Sequence, residues 1–228
     1  MWFRLHPYLE VNPMPSYPGV SQHVTRRLPR YYHHLTELEK SGVERISSRE
    51  FAEMIGFTAS QIRQDLNCFG GFGQQGYGYS VAILRTEIGR ILCVDKSHPA
   101  IIIGAGHLGS ALASNMNFNY CGFRLVGIFD ADPKLIGQEI GNCIVRDIAQ
   151  LKNFCTQYNP QIAAICTPSR AVPELVSTLA DLRVRGLWNF SQCDIRSFFS
   201  GDIVVENVQL SDSLMNLSFN LNNKLEEK

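Results

Sequence analysis

The stretch IIIGAGHLGS, residues 101–110, decides how the rest of this chain is read. An apolar run ends in Gly104-Ala105-Gly106-His107-Leu108-Gly109, the spacing G-x-G-x-x-G. The pattern describes a strand turning tightly into a helix. Gly104 allows the turn, Gly106 lets the backbone approach a pyrophosphate, and Gly109 lets helix and strand pack closely. The helix N-terminus then faces the phosphates with amides that have no acceptor inside the helix. Gly104, Ala105, Gly106, His107, Leu108 and Gly109 are therefore expected to hold a dinucleotide.

The surroundings support that reading. Ala100 to Ile103 predicts a strand, and Leu108, Ala111, Leu112 and Ala113 begin a helix. The next strand, RLVGIFD, ends at Asp130, about 20 residues beyond the motif. A carboxylate there hydrogen-bonds the adenine-ribose hydroxyls and repels a 2′-phosphate, so NAD(H) is expected over NADP(H). Two later segments, IAAICTPSRAV (162–172) and GLWNF (186–190), predict strands that end at Thr167-Pro168 and Asn189-Phe190. In a doubly wound sheet the carboxyl-end loops line the ligand crevice. Thr167, Pro168, Asn189 and Phe190 are thus candidate nicotinamide-side contacts.

A dehydrogenase would also need a proton-transfer group beside the nicotinamide. The histidines are His6, His23, His33, His34, His98 and His107, and only His107 falls in the crevice, at the pyrophosphate. Cys166 sits near the right strand end but reads as a small buried strand residue. Roughly 20 residues follow the last strand, too few for a substrate domain of ordinary size. No catalytic constellation emerges, and the expectation is a protein that is not an enzyme.

Upstream the grammar changes. Leu28, Tyr31, Leu35 and Leu38 mark one face of a helix, with Pro29 tolerated in its first turn. In SSREFAEMIGFTASQIRQDLNCFG (47–70), Ser47 and Glu50 fit a capping box, as do Thr58 and Gln61, and Gly56 stands where the first helix should stop. This is a helix-turn-helix. Its second helix buries Ile62, Leu66 and Phe69 and leaves Ser60, Gln61, Arg63 and Gln64 toward its N-terminal end, where a recognition helix meets base edges. Arg63 suits guanine, and Gln61 or Gln64 suits adenine. GGFGQQGYGYSV (70–81) then predicts a hairpin turning at Gln74-Gln75-Gly76, the wing of a winged helix. Arg26, Arg27, Arg30, Arg45 and Arg49 supply charge for phosphate contacts.

Composition bounds the answer. The chain has 228 residues, 45% hydrophobic and 18% charged, with no net formal charge. That is a globular balance, and DNA affinity must come from a local patch. The seven cysteines are scattered and form no C-x-x-C, which argues against a disulfide framework and a zinc site. No run is long and apolar enough to span a membrane, and the proline-rich start has no signal-peptide core. The expected location is the cytoplasm. The expected division is a flexible extension (1–24), a winged-helix DNA-binding domain (25–95), a Rossmann NAD(H)-binding domain (96–207) and a C-terminal helix with its tail (208–228).

The chain resembles the bacterial redox-sensing transcriptional repressors of the Rex family from about residue 27 to residue 219. ISSREFAEMIGFTASQIRQDL, FGGFGQQGYGY, GAGHLGSAL, FDADP, GLWNF and VENVQLSDSLMNLSF carry the likeness. The resemblance implies a homodimer whose winged helices bind a palindromic operator on double-stranded DNA. NADH would favour a form that cannot span both half-sites, and NAD⁺ would permit repression. It also implies a C-terminal helix exchanged between subunits, with Leu210, Leu214 and Leu217 on its apolar face.

The departures from the family pattern are specific. The resemblance places a basic pair where this chain has Arg63-Gln64, and a basic wing tip where it has Gln75. Fewer positive charges weaken DNA affinity and its salt dependence. The family couples nucleotide to domain rotation through an Arg, a Tyr and an Asp, and an ungapped match puts His33, Asn115 and Gln209 there. His33 restores a charge only when protonated. The alternatives are a Rex-like regulator with a blunted or different effector response, such as a coenzyme A-type ligand, and a small NAD-dependent oxidoreductase.

Overall fold

A computed structural model describes residues 20–70, 72, 77–196 and 203–226. The chain divides into two compact units, Met1–Asp95 and Lys96–Lys228.

The first unit is helical. A turn, α1 (Gln22–Thr25), precedes α2 (Leu28–Lys40), and the burial of Val24 carries order back into residues read from sequence as extension. Strand β1 (Arg45–Ile46) leads into α3 (Ser48–Ile55) and α4 (Ala59–Asn67), followed by β2 (Tyr79–Ser80) and α5 (Val81–Ile91). Both halves of the Ser47–Glu50 capping box form, and Gly56 closes α3 in the left-handed conformation at φ 68°. Leu28, Tyr31 and Leu35 of α2 pack with Phe51 and Ile55 of α3, Ile62 and Leu66 of α4, and Leu84 and Ile88 of α5. Strand β2 pairs antiparallel with β1, Ile46 opposite Tyr79. The sequence predicts a hairpin closed within 70–81. The first arm and turn of that hairpin lie largely outside the described residues; the strand leaving the segment pairs with the one before α3, so the helix-turn-helix lies between the two strands. Gln74, Gln75 and Gly76 fall outside the described residues.

The second unit is a seven-stranded sheet in the order β5-β6-β4-β3-β7-β8-β9. Its strands are β3 (His98–Ile103), β4 (Phe123–Asp130), β5 (Glu139–Ile140), β6 (Cys143–Asp147), β7 (Ile162–Ile165), β8 (Gly186–Asn189) and β9 (Val204–Asn207). All neighbours are parallel except β5 with β6. The helices are α6 (His107–Asn115), α7 (Leu151–Tyr158), α8 (Val172–Asp181) and α9 (Leu210–Glu226). The chain steps from β3 outward to β4 and β6, then crosses back to β7 on the other side of β3. That reversal places a topological switch point between β3 and β7.

Strand alternation divides the core between the two faces. Ile101, Ile103, Phe129, Ala163, Ile165 and Leu187 pack with α7 and α8. Ala100, Ile102, Ile128 and Ala164 face the side that carries Leu112 and Ala113 of α6. Over β7, β8 and β9 that second face holds an apolar groove of about 270 Å³, floored by Ile162, Ala164, Trp188 and Val204. None of the residues of α9 is buried, and Leu210, Leu214, Met215, Leu217, Phe219, Leu221 and Leu225 all stand exposed.

Candidate functional site

The three motif glycines do different jobs. Gly104 has φ +100°, and a Cβ there would lie 2.7 Å from the carbonyl of Cys166 on β7's exit. A Cβ on Gly109 would lie 1.8 Å from the Gly104 oxygen, so α6 leaves the turn in backbone contact with it. A Cβ on Gly106 would meet nothing within 4 Å. The fold therefore demands glycine at 104 and 109. At 106 the described residues make no such demand, and the open space above it is where a pyrophosphate would come close to the backbone. Gly106 is the N-cap of α6, and the first-turn amides of His107 and Leu108 lie in the part of a helix without internal acceptors. His107 is exposed and Leu108 half-buried.

Asp130 ends β4 beside this turn. The Ala105 amide donates to its Oδ2 at 2.6 Å, and the Asp132 amide to its Oδ1 at 2.8 Å. The carboxylate keeps lone pairs for further donors, since it can accept about four hydrogen bonds. The Ser110 hydroxyl donates to the Ala105 carbonyl at 2.6 Å, so the turn is braced on both sides.

Across the switch point, Thr167 and exposed Pro168 follow β7. The Thr167 hydroxyl oxygen is buried and has no hydrogen-bond partner among the described residues. A buried hydroxyl without a partner is costly, and a polar ligand in the crevice would satisfy it. The orphaned hydroxyl, the open space at Gly106 and the free amides of α6 together fit a dinucleotide. Burial pushes the neighbouring Cys166 thiol up to about 12, which leaves it protonated and unreactive.

Asn189 and Phe190 close the other side. Phe190 is half-buried, its amide donates to the Ile165 carbonyl at 3.0 Å, and its ring meets Trp188 edge-on at 4.4 Å. Asn189 is fully buried. Its Nδ2 donates to the Cys193 carbonyl (2.7 Å) and to Asn207 Oδ1 (2.8 Å). Its Oδ1 accepts from the Ser191 amide (3.1 Å) and hydroxyl (2.6 Å). An asparagine amide has four such positions and all four are filled, so Asn189 shapes the loop after β8 and offers nothing more to a ligand. Asn207 continues the network to Asp194 at 2.9 Å, and Arg196 holds that carboxyl well below its usual range. Asn207 does not stand out in the sequence, because its partner Asn189 lies on a strand that becomes its neighbour only in the fold, and Ser191 reads as an ordinary loop serine.

In the first unit, Ser60, Arg63 and Gln64 are exposed on α4, and Gln61 is half-buried. The Thr58 hydroxyl caps the helix by accepting from the Gln61 amide at 3.1 Å. Arg63 donates to Ser48 Oγ at 2.9 Å, which holds the guanidinium near the start of α3. Arg30 lies over the Phe57 ring, 5.2 Å from its centroid. Sequence reasoning passed over Asp65. Its side chain is 3% exposed, and it accepts from Arg27 Nε and Nη2, both at 2.7 Å, and from the Tyr31 hydroxyl at 2.6 Å. The signal was available, since Asp65 lies at i+3 from Ile62 and so on the apolar face.

The three positions matched to the family's coupling residues divide between the units. His33 is exposed on α2, its ring edge-on to His34 at 5.7 Å. Asn115 is exposed at the end of α6 and donates to the Ala111 carbonyl at 3.1 Å. Gln209 is exposed just before α9. Among the described residues no group of histidine, cysteine and carboxylate side chains could hold a metal ion.

A helix-turn-helix joined on one chain to a switch-point crevice of this kind defines the class of nucleotide-responsive DNA-binding regulators. Two family models match, "Putative DNA-binding protein N-terminus" over residues 19–67 and "CoA binding domain" over residues 95–193. Redox-sensing transcriptional repressors Rex from Clostridium perfringens and Caldicellulosiruptor saccharolyticus are similar to the chain. They are 46% identical over 209 residues (92% of this chain, 98% of the relative) and 47% identical over 210 residues (92% and 95%). The crystal structure of RSP in complex with β-NAD⁺ and operator DNA matches at 46% identity and a TM-score of 0.83, covering 90% of this chain and 94% of that one. RSP in complex with β-NADH matches at 43% identity and a TM-score of 0.82, covering 90% and 96%. The chain belongs to the Rex family of redox-sensing transcriptional repressors.

Proposed function

We propose that this protein is a homodimeric, cytoplasmic repressor that binds NAD(H) in the crevice between β3 and β7 and a palindromic operator through α4. NADH releases it from DNA, and NAD⁺ leaves it bound. The nucleotide is a signal and undergoes no reaction; the curated relatives are named as repressors. The observation that carries the reading is Gly106, a glycine that no contact among the described residues requires, placed at the N-terminal amides of α6. RSP supports both halves, as a protein crystallised with NAD⁺ and operator DNA and also with NADH.

Gly104 to Gly109 and Thr167 are assigned to the pyrophosphate and nicotinamide side, with Pro168 and Phe190 as walls of the crevice. Asp130 is assigned to the adenine ribose. Ser60, Gln61, Arg63 and Gln64 are assigned to DNA, together with Gln74, Gln75 and Gly76. With Gln64 and Gln75 in place of basic residues, operator binding has a shallow salt dependence. His33, Asn115 and Gln209 take over the coupling positions.

The dimer forms by exchange of α9. None of the seventeen residues of α9 is buried among the described residues, which leaves its apolar face for a second copy. The apolar groove over β7, β8 and β9 supplies a surface of matching chemistry on a second copy.

The test is fluorescence anisotropy on a labelled Rex-type palindrome, titrated with NADH and separately with NAD⁺. Release by NADH alone supports the reading. Tight binding indifferent to both nucleotides, with a coenzyme A-type ligand found by mass spectrometry in the purified protein, would replace it.

A further inference from the structure

We infer that Asp65, gripped by Arg27 and Tyr31, is a positioning residue that sets the rotation of α4 and so determines how sharply the protein distinguishes its operator from other DNA. This rests on the assignment of α4 as the DNA-reading helix.

The geometry joins α2 and α4 at one carboxylate. Arg27 is the N-cap residue of α2 and presents two donors, Nε and Nη2, one to each oxygen of Asp65. A planar fork on a planar carboxylate fixes orientation as well as distance. The Tyr31 hydroxyl, one turn further along α2, adds a third bond to Oδ2. The Tyr31 ring is fully buried and meets Phe51 of α3 edge-on at 5.6 Å and Phe57 of the turn at 5.9 Å. Burial, and then the bond to Asp65, push the Tyr31 hydroxyl well above its usual range, so it stays a donor. Both helices of the motif are thereby referenced to α2 through Tyr31.

The consequence lies on the opposite side of α4. At about 100° per residue, Arg63 and Ser60 stand roughly 160° and 140° around the helix from Asp65. Fixing Asp65 inward therefore aims those two side chains outward. The apolar contacts of Ile62 and Leu66 on the same face bury area but are not directional. A buried ion pair contributes little net stability, because desolvation offsets the attraction, and fixing a unique arrangement is the role that remains. Asp65 also sets a negative charge into the helix that approaches DNA, which weakens binding to any duplex by simple electrostatics.

That last point makes the test one of sign. Operator and scrambled duplexes of equal length are titrated with the wild-type chain and with Asp65→Asn, alongside thermal melting. Loss of the negative charge alone tightens binding to both duplexes. Positioning predicts the reverse on the operator, a loss of roughly tenfold or more, the scale of a lost base contact, with scrambled DNA bound as well as before or better. Tyr31→Phe keeps the ion pair and removes one bond, and it shows a smaller loss in the same direction; it serves where Asp65→Asn fails to fold. Arg27→Lys keeps the charge without the fork and behaves like Asp65→Asn. Equal operator preference in wild type and folded variants overturns the inference, and so do parallel losses on both duplexes that track melting. A wild-type chain with no operator preference overturns instead the assignment of α4.

Discussion

The Ala105 N–H and the Asp130 carboxylate meet at 2.6 Å, so the tip of the glycine turn and the end of the neighbouring strand are one unit. The bond fixes the carboxylate where the adenine ribose would lie and leaves it lone pairs for two hydroxyl donors. Asp130→Ala is expected to weaken NADH binding about thirtyfold or more, since hydrogen bonds to charged groups are worth about 2 kcal/mol. NADH fluorescence titration measures it, with NADPH as the control that the wild-type carboxylate repels. Unchanged NADH affinity in Asp130→Ala would remove Asp130 from the site.

The glycines give a paired prediction. Gly109→Ala would force a Cβ against the Gly104 carbonyl, while Gly106→Ala would enter open space. The first is expected to cost about 3 kcal/mol or more and to fold poorly, as overpacking against backbone does. The second should melt within a few degrees of wild type and lose NADH binding. Melting curves and NADH titrations on both variants separate the roles. If Gly106→Ala binds NADH normally, the phosphates lie elsewhere.

How much of this was legible in the sequence follows the range of the interactions. The strand, turn and helix around Gly104–Gly109 are local, and so is the Ser47–Glu50 cap, and both are read directly from spacing. The alternation that divides Ile101 and Ile103 from Ala100 and Ile102 is equally local. What escaped depends on contacts between distant segments. Asn189 at a strand's carboxyl end reads as a ligand contact, but Asn207, eighteen residues away, and Ser191 complete its hydrogen bonding. Tyr79 also pairs with Ile46, which lies before the helix-turn-helix and which no local pattern joins to it. Asp65 reads as one more polar residue on a DNA-facing helix. Its spacing from Ile62 places it on the apolar face, but its partners Arg27 and Tyr31, more than thirty residues upstream, become visible only in the fold.

The thiols should separate by burial. The thiolate is the reactive form, and burial pushes Cys155 up to about 11 and Cys166 up to about 12, whereas Cys68 stands exposed on the surface. Near neutral pH, alkylation followed by mass spectrometry should modify Cys68 first and Cys155 and Cys166 last, the latter two chiefly on unfolding. As pH rises, their rates should still be climbing at pH 10, because the thiolate fraction grows until the pH passes the shifted value. Fast labelling of Cys166 at pH 7 would mean that the loop after β7 opens readily and that the crevice is not preformed.

The last prediction concerns α9. Leu214 and Leu217 are more than 60% exposed although they are apolar and lie on one helix face. A stripe of this size left in water implies a partner, and the groove floored by Ile162, Ala164 and Trp188 offers one on a second copy. Leu214→Glu combined with Leu217→Glu would set two carboxylates against that groove, where an unpaired charge costs several kcal/mol. Light scattering should then read the chain mass of 25.6 kDa where the wild type reads twice that value. NADH affinity should stay within a few-fold of wild type, because the residues assigned to the crevice lie between Gly104 and Phe190. Operator affinity should fall by about two orders of magnitude or more, since each half-site must then be bound without the effective concentration that linkage supplies. A double variant that remains dimeric and binds the palindrome like wild type would show that α9 does not hold the subunits together.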